Sequence, residues 1–407
     1  MVTITVARNW SETEKTMAET NIDRSERTGW REVLDELARR GLMRKLRTVE
    51  GAQGPRVRID GRELLCFCSN NYLGLADHPA LVQAATRAAE EHGTGSGSSR
   101  LVAGTMVLHR RLEDAVAGFK RAEAAIVFPT GYAANLGVIP ALVGGHDVVY
   151  CDRLSHASII DGCRLAGADL RVYPHKDVAR LDRLLARRRG NRTLVVTDTV
   201  FSMDGDIAPL PDLVEVCERH GAILMIDEAH ATGVLGETGR GATEHFGIEP
   251  GRIPVVMGTL SKAVGSLGGY VVGGFDLIEL LINTARSFIY TTALPPAVCA
   301  ASIAGLRMID EDPQRRARLW ERTRQLQDGL REAGLDLGDT ETPITPVVVG
   351  KADDAVALAD RLLDAGILAP AIRPPTVPDG TARIRLSPMA THTREDIEAV
   401  LEAVARG

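Results

Sequence analysis

From about residue 106 to residue 275 the chain alternates between two hydrophobic rhythms, and this alternation restricts the fold more than any other feature. Amphipathic stretches such as VLHRRLEDAVAGFK, VARLDRLLARRR and LPDLVEVCERH are interleaved with short apolar runs: AAIVF, DVVYCD, ADLRVYPH, TLVVTD, AILMIDEA, VVMGTLS and GGYVVGG. Runs this apolar suit strands buried on both faces, and the helices between them imply a mainly parallel sheet covered on both sides. The strands are too many for a single mononucleotide-binding half. Helical patterns dominate from Phe275 to about residue 333. ITPVVVG, ADDAVALADRLLDAG, ILAPAIRPPTV, ARIRLSPM and TREDIEAVLEAVA then read as a smaller α+β portion.

The class is therefore α/β, and a length of 407 residues suggests two or three domains. The expected divisions are a polar, mobile extension over 1–25, an N-terminal segment over 26–75, a large domain over 76–315 and a C-terminal α+β domain over 316–407. A hydrophobic share of 44% and a charged share of 25% describe an ordinary globular chain. Its net charge of −6 gives no reason to expect nucleic acid or an anionic membrane as partner. No apolar run approaches the roughly 18 residues of a membrane helix, and the first 25 residues lack the apolar block of a signal peptide. A cytoplasmic protein is expected. Six cysteines without CxxC or Cys/His clustering predict reduced thiols and no metal site. Cys66 and Cys68 lie in an apparent strand and are expected to face opposite sides.

Two motifs are misleading. DEAH at Asp227–His230 matches a helicase tetrad, but the only Gly-Lys pair, Gly350-Lys351, lacks the phosphate-cradling loop that this chemistry needs. HGTGSGSSR at His92–Arg100 is not GxGxxG and follows a helix rather than a strand.

Only six of the 48 basic residues are lysines, so each deserves inspection. Lys262, in VVMGTLSKAVGSLGG, follows an apolar strand in a Gly-rich turn. Burial there would favour the neutral, nucleophilic amine suited to Schiff-base chemistry. Taken alone, a surface loop lysine would be the better reading. Asp227 ends the strand AILMID, at the carboxyl edge where open α/β sheets bind ligands. It can pair with a pyridinium nitrogen, as pyridoxal phosphate (PLP) requires, or serve as a helix cap or metal ligand. PTGYAAN opens a helix whose Gly131 and Tyr132 N–H groups are free for a phosphate, or it is an ordinary strand–helix turn. His156 in SHAS follows the strand DVVYCD. Four such features at sheet ends favour a PLP enzyme over any bland reading of each.

The chain resembles the α-oxoamine synthases of PLP fold type I from about Trp30 to its C-terminus. The strings that carry the resemblance are FCSNNYLGL, GTGSGSSRLVAGT, PTGYAAN, DRLSHASIIDG, VFSMDGD, IDEAHATGVLGETGRG, GTLSKAVGSLGG and AIRPPTVPDGTARIRL. The resemblance implies a homodimer with a shared active site, in which an amino acid is joined to an acyl thioester with loss of CO2. The implied pair is L-alanine and a pimeloyl group on CoA or a carrier protein, for biotin synthesis. The alternatives are glycine with a short acyl group or another acyl chain. Lys262 would hold PLP as a Schiff base and move the Cα proton, Asp227 would pair with the pyridinium nitrogen, and His230 would bond the phenolic oxygen. His156 would stack on the ring and help acyl transfer. Gly131, Tyr132 and Thr259 would hold the phosphate region and Ser202 would line the cofactor, while Thr291 or Thr292 would reach the partner subunit's phosphate. Asn70, Arg373 and Thr376 would lie near the substrate, with Arg373 on its carboxylate and Arg385 the alternative for that contact. Arg44 matches an N-terminal arginine near the acyl substrate. The chain departs from the usual pattern at Thr199, where Gly is common, at Asn71, where Asp is common, and in LSPMATHT.

Overall fold

In a computed structural model of the chain, residues 29–39, 43, 45–187, 190–374 and 376–405 are described. They fall into two compact units, one ending at Thr48 and one beginning at Val49. The expected extension over 1–25 lies outside the described residues, as does Arg44. In the first unit Trp30–Arg39 is an amphipathic helix that leaves Trp30, Val33 and Leu34 exposed.

The second unit begins with a hairpin, β1 (Arg56–Ile59) and β2 (Arg62–Cys66). Its two-residue turn is Asp60-Gly61, both at positive φ, the geometry that matches the right-handed twist of the strands. The apolar runs of the middle region form β3 (Ala124–Phe128), β4 (Val148–Asp152), β5 (Asp169–Tyr173), β6 (Thr193–Asp198), β7 (Ile223–Asp227), β8 (Val255–Thr259) and β9 (Gly269–Gly273). They make one sheet in the order β3-β9-β8-β7-β6-β4-β5. Only β9 runs against its neighbours, β3 and β8. The remaining pairings are parallel, as the sequence pattern predicts.

The strand side chains sort by parity into two cores. Val127, Tyr150, Val195, Leu224, Ile226 and Val256 join the core on one face. Ile126, Cys151, Val196, Met225, Val255 and Met257 join the core on the other. Both faces of the inner strands are dry because helices cover both, which is why those strands carry no polar alternation, whereas the edge strand β5 leaves Asp169 and Val172 exposed.

The C-terminal part holds β10 (Thr345–Gly350), β11 (Ile367–Leu368), β12 (Ala371–Ile372) and β13 (Ala382–Leu386), with β13 between β10 and β12. β11 instead pairs in parallel with β2, so the early hairpin packs with late residues. Leu65 and Phe67 enter the core of Leu326, Leu358 and Ile397, while Leu64 and Cys66 meet Leu368 and Met389. The turn after β6 ties this part to the large sheet. Arg383 donates to Asp204 Oδ1 at 2.6 Å, and Thr342 Oγ1 donates to the Gly205 carbonyl at 2.8 Å. Gly205 has φ 74, and a Cβ there would lie 2.2 Å from the Ile344 carbonyl, so the turn needs glycine.

One expectation fails. The Cys66 and Cys68 thiols lie 4.0 Å apart, on the same side, because residues two apart in extended chain share a face. Burial opposes ionisation of Cys66, but the adjacent Cys68 outweighs it and brings its pKa down to about 7. No disulfide joins any of the six cysteines.

Candidate active site

A parallel sheet brings the carboxyl ends of its strands to one edge, and here those ends are polar. Asp152, Asp198, Asp227 and Thr259 are the last residues of β4, β6, β7 and β8. Asp198 lies directly beside Asp227 in register.

Lys262 stands three residues past β8 in a tight turn closed by Gly265 N–H to the Lys262 carbonyl at 2.9 Å. Gly265 has φ 75 and packs against the Leu75–Ala76 backbone, where a Cβ would come within 2.6 Å. Lys262 Nζ is 2.8 Å from His230 Nε2. Burial pulls its pKa down to about 8, the Arg385 charge pushes the same way, and Asp227 opposes both. His230 is buried, and burial with the Lys262 and Arg385 charges holds its pKa well below the usual histidine value. Its Nδ1 meets the Tyr72 hydroxyl at 2.7 Å.

Asp227 accepts from Asn135 Nδ2 at 2.9 Å and from the Ala229 N–H at 2.9 Å. Asn135 lies on the helix Gly131–Leu142, which Thr130 caps by accepting the Ala133 N–H at 3.0 Å. That cap leaves the N–H groups of Gly131 and Tyr132 at the open helix end without intrahelical acceptors. Thr259 packs beside this end, 3.6 Å from where a Gly131 Cβ would stand. His156 caps the next helix, Ala157–Ala166, and its backbone N–H donates to Asp198 Oδ2 at 2.8 Å. Burial lowers the His156 pKa. Burial and the neighbouring Asp227 charge raise that of Asp198 well above the carboxylate range.

Arg385, on β13, reaches the same cluster from the other side. Its Nη2 donates to Asn70 Oδ1 at 2.8 Å and to the Tyr72 hydroxyl at 3.2 Å, while its buried Nε has no partner. The structure thus gathers Lys262, His230, Asp227, His156, Thr259, Asn70, Arg385 and the Gly131–Tyr132 helix end. It does not join the other candidates to them by any hydrogen bond among the described residues. Arg373 follows β12, half-buried, with its carbonyl accepting the Thr376 N–H at 3.0 Å, and Thr376 is exposed. Ser202 is half-buried in the turn after β6. Thr292 bridges to Ser99, and Thr291 precedes it.

The donor set fits PLP: an amine of lowered pKa, a doubly anchored carboxylate and an open helix end with a threonine beside it. The unpaired Arg385 Nε adds a donor for a substrate carboxylate. Among the described residues no group of three His, Cys, Asp or Glu is arranged to hold a metal ion.

The family model of class I and II aminotransferases matches residues 62–404. A curated protein of Geobacter sulfurreducens named 8-amino-7-oxononanoate synthase is 55% identical over 92% of this chain and 96% of its own length. One of Symbiobacterium thermophilum with the same name is 51% identical over 92% and 96%. The chain belongs to the α-oxoamine synthases. Solved structures in this family superpose closely. A serine palmitoyltransferase described with a PLP internal aldimine gives a TM-score of 0.89 at 36% identity, covering 95% of this chain and 98% of that one. An 8-amino-7-oxononanoate synthase of Francisella tularensis gives 0.75 at 30% identity, covering 84% and 97%.

Two departures from the α-oxoamine synthase pattern have local explanations. Thr199 donates through N–H and Oγ1 to the Asp227 carbonyl, at 2.9 and 3.0 Å, bracing the strand end. Asn71 Oδ1 accepts the N–H groups of Leu75 and Ala76, which an Asp oxygen would do equally. Sequence reasoning missed Tyr72, Asn135, Ser158 and Asp198 as site residues. Asp198 carried the same signal as Asp227, an acid ending an apolar strand. The other three are ordinary polar residues inside quoted motifs, and only their contacts distinguish them.

Proposed function

We propose that this α-oxoamine synthase joins L-alanine to a pimeloyl thioester with release of CO2 and the free thiol, giving 8-amino-7-oxononanoate for biotin synthesis. Its cofactor is pyridoxal 5′-phosphate. The single observation that carries the reading is Lys262, an amine of lowered pKa held on His230 at the sheet edge that bears Asp227. The choice of alanine and pimeloyl follows the relatives at 55% and 51% identity.

Bound PLP supplies an electron sink for the charge left at the amino acid's Cα. Asp227, fixed by Asn135 and Ala229, would pair with the pyridine nitrogen and keep it protonated. Lys262 would hold the cofactor through Nζ and would take and return the Cα proton, work suited to a pKa near the working pH. The helix end at Gly131 and Tyr132, with Thr259, takes the phosphate. His230 would donate to the phenolic oxygen, His156 would cover the ring and polarise the thioester carbonyl, and Ser202 would line the cofactor. Arg385, through its free Nε, and Asn70 would hold the substrate carboxylate, while Arg373 and Thr376 would lie near the substrate. Arg44 serves the acyl substrate.

The enzyme works as a cytoplasmic homodimer with Thr291 and Thr292 turned to a second copy's phosphate. In support, the exposed apolar residues Leu101, Val102 and Tyr290 flank these threonines in sequence and across the Ser99–Thr292 bridge. CoA or a carrier protein presents the acyl group. An assay of alanine, glycine and serine against a panel of acyl-CoA and acyl-carrier thioesters tests the reading. Product and CO2 are expected with alanine and pimeloyl thioester. Turnover of an amino acid without any thioester would instead indicate an aminotransferase.

A further inference from the structure

Two histidines face the site, and each meets a hydroxyl group through Nδ1. Ser158 Oγ lies 2.8 Å from His156 Nδ1, and the Ser158 backbone N–H points to the same nitrogen at 3.3 Å. A backbone N–H only donates, so this nitrogen is an acceptor and carries no hydrogen. The direction of the Ser158 hydroxyl agrees. Its oxygen accepts from Asn135 Nδ2 at 2.8 Å, and its own hydrogen is left for His156. The same Asn135 amide group also donates to Asp227.

Tyr72 stands in the same relation to His230. Its hydroxyl lies 2.7 Å from Nδ1 and 3.4 Å from Asn70 Oδ1. The first distance is that of a good bond and the second is long. Asn70 Oδ1 already receives Arg385 Nη2 at 2.8 Å, and Arg385 also donates to the Tyr72 oxygen at 3.2 Å. The Tyr72 hydrogen therefore goes to His230 Nδ1. Burial raises the Tyr72 pKa, so the phenol keeps that hydrogen.

We propose that Tyr72 and Ser158 are positioning residues that fix His230 and His156 in one tautomer, with Nδ1 as acceptor and the hydrogen on Nε2. Each imidazole then presents a single N–H donor from its far nitrogen, and for His230 that nitrogen faces Lys262. The consequence for catalysis rests on the synthase reading: a donor is what an anionic cofactor oxygen or a developing oxyanion requires. The tautomer itself does not depend on that reading.

The test is ring 15N NMR on histidine-labelled, cofactor-free enzyme at pH 9, above the Lys262 value of about 8, so that its amine can accept. Both histidines are expected as Nε2–H. Either one found as Nδ1–H in the wild type overturns the proposal, with no variant needed. Tyr72→Phe should shift only the His230 signals toward the other tautomer, and Ser158→Ala only those of His156. Ser158→Thr, which keeps the hydroxyl, should restore the wild-type pattern. Unchanged tautomers in both Tyr72→Phe and Ser158→Ala would also overturn it. On the loaded enzyme each hydroxyl deletion is expected to lower turnover by on the order of tenfold, the scale of one hydrogen bond. If the tautomers are as stated but the enzyme fails to make the amino ketone, the functional reading falls and this inference stands.

Discussion

Lys120 ends the helix Val107–Lys120 and Lys262 stands in the turn after β8, and the more deeply enclosed of the two keeps the higher pKa. The Lys120 side chain is 2% exposed and is ion-paired with Glu228, which is itself wholly buried. Burial pulls its pKa down, but Glu228, Tyr270 and Glu244 outweigh burial and leave it above the ordinary lysine value. Lys262 is half-buried, and burial together with the Arg385 charge takes its pKa down to about 8, because its partner is His230 rather than a carboxylate. The contrast arises from two adjacent acids. Asp227 ends β7 and turns to Asn135, while Glu228 turns to Lys120 and the Thr243 N–H. Depth alone does not make an amine nucleophilic; the charge of what it touches decides.

The strongest way to break this contrast is to remove Lys262. Lys262→Ala should lower turnover by at least about 10⁴-fold, the upper range for a positioned acid–base group, with an unchanged far-ultraviolet circular dichroism spectrum. Borohydride treatment of the loaded wild type should attach the cofactor to Lys262, and a label on Lys120 would overturn the assignment. Asp227→Asn, which keeps shape and removes charge, should cost on the order of 10³-fold in kcat while PLP still binds. Near-normal turnover would contradict its role.

Lys120→Met should act on stability instead. It leaves Glu228 buried and uncompensated, a loss of about 3 kcal/mol read by urea denaturation. The double variant Lys120→Met/Glu228→Gln should recover much of it, while kcat of the folded enzyme stays near wild type throughout. Proton titration sharpens the same pair. In cofactor-free enzyme, acylation of Lys262 should rise about tenfold per pH unit and level off above about 8, with Lys120 unlabelled over the same range. Since the folded value lies below the ordinary 10.5, the folded chain binds fewer protons between these limits. This group therefore adds stability as pH rises from about 8 to 10.5. The smallest effect concerns the arginines. Arg385→Lys should raise KM for alanine about tenfold and leave the thioester dependence unchanged, because the Nε donor is lost while the charge stays. A larger alanine defect in Arg373→Lys would move the carboxylate contact to the turn after β12.

The sheet was legible because its inner strands are buried on both faces and so carry unbroken apolar runs, and their polar last residues mark the ligand edge. The same signal failed for register and for partners. It did not show that β9 runs antiparallel, nor that Cys66 and Cys68 share a side, nor that the early β2 pairs with the late β11.

By itself, the sequence determined the α/β class and the sheet edge, and it singled out Lys262, Asp227 and His156 as candidates there, with His230 added by the family resemblance, because each sits at a strand end or in a motif of fixed spacing. Tertiary structure alone decided what those groups are chemically. Which lysine has the lowered pKa, which acid holds which partner and which nitrogen of each histidine accepts all follow from contacts between segments far apart in the chain. Asn70 and Arg385 are 315 residues apart and meet at 2.8 Å. Charge and hydrogen-bond direction depend on such distances, and linear order does not encode them.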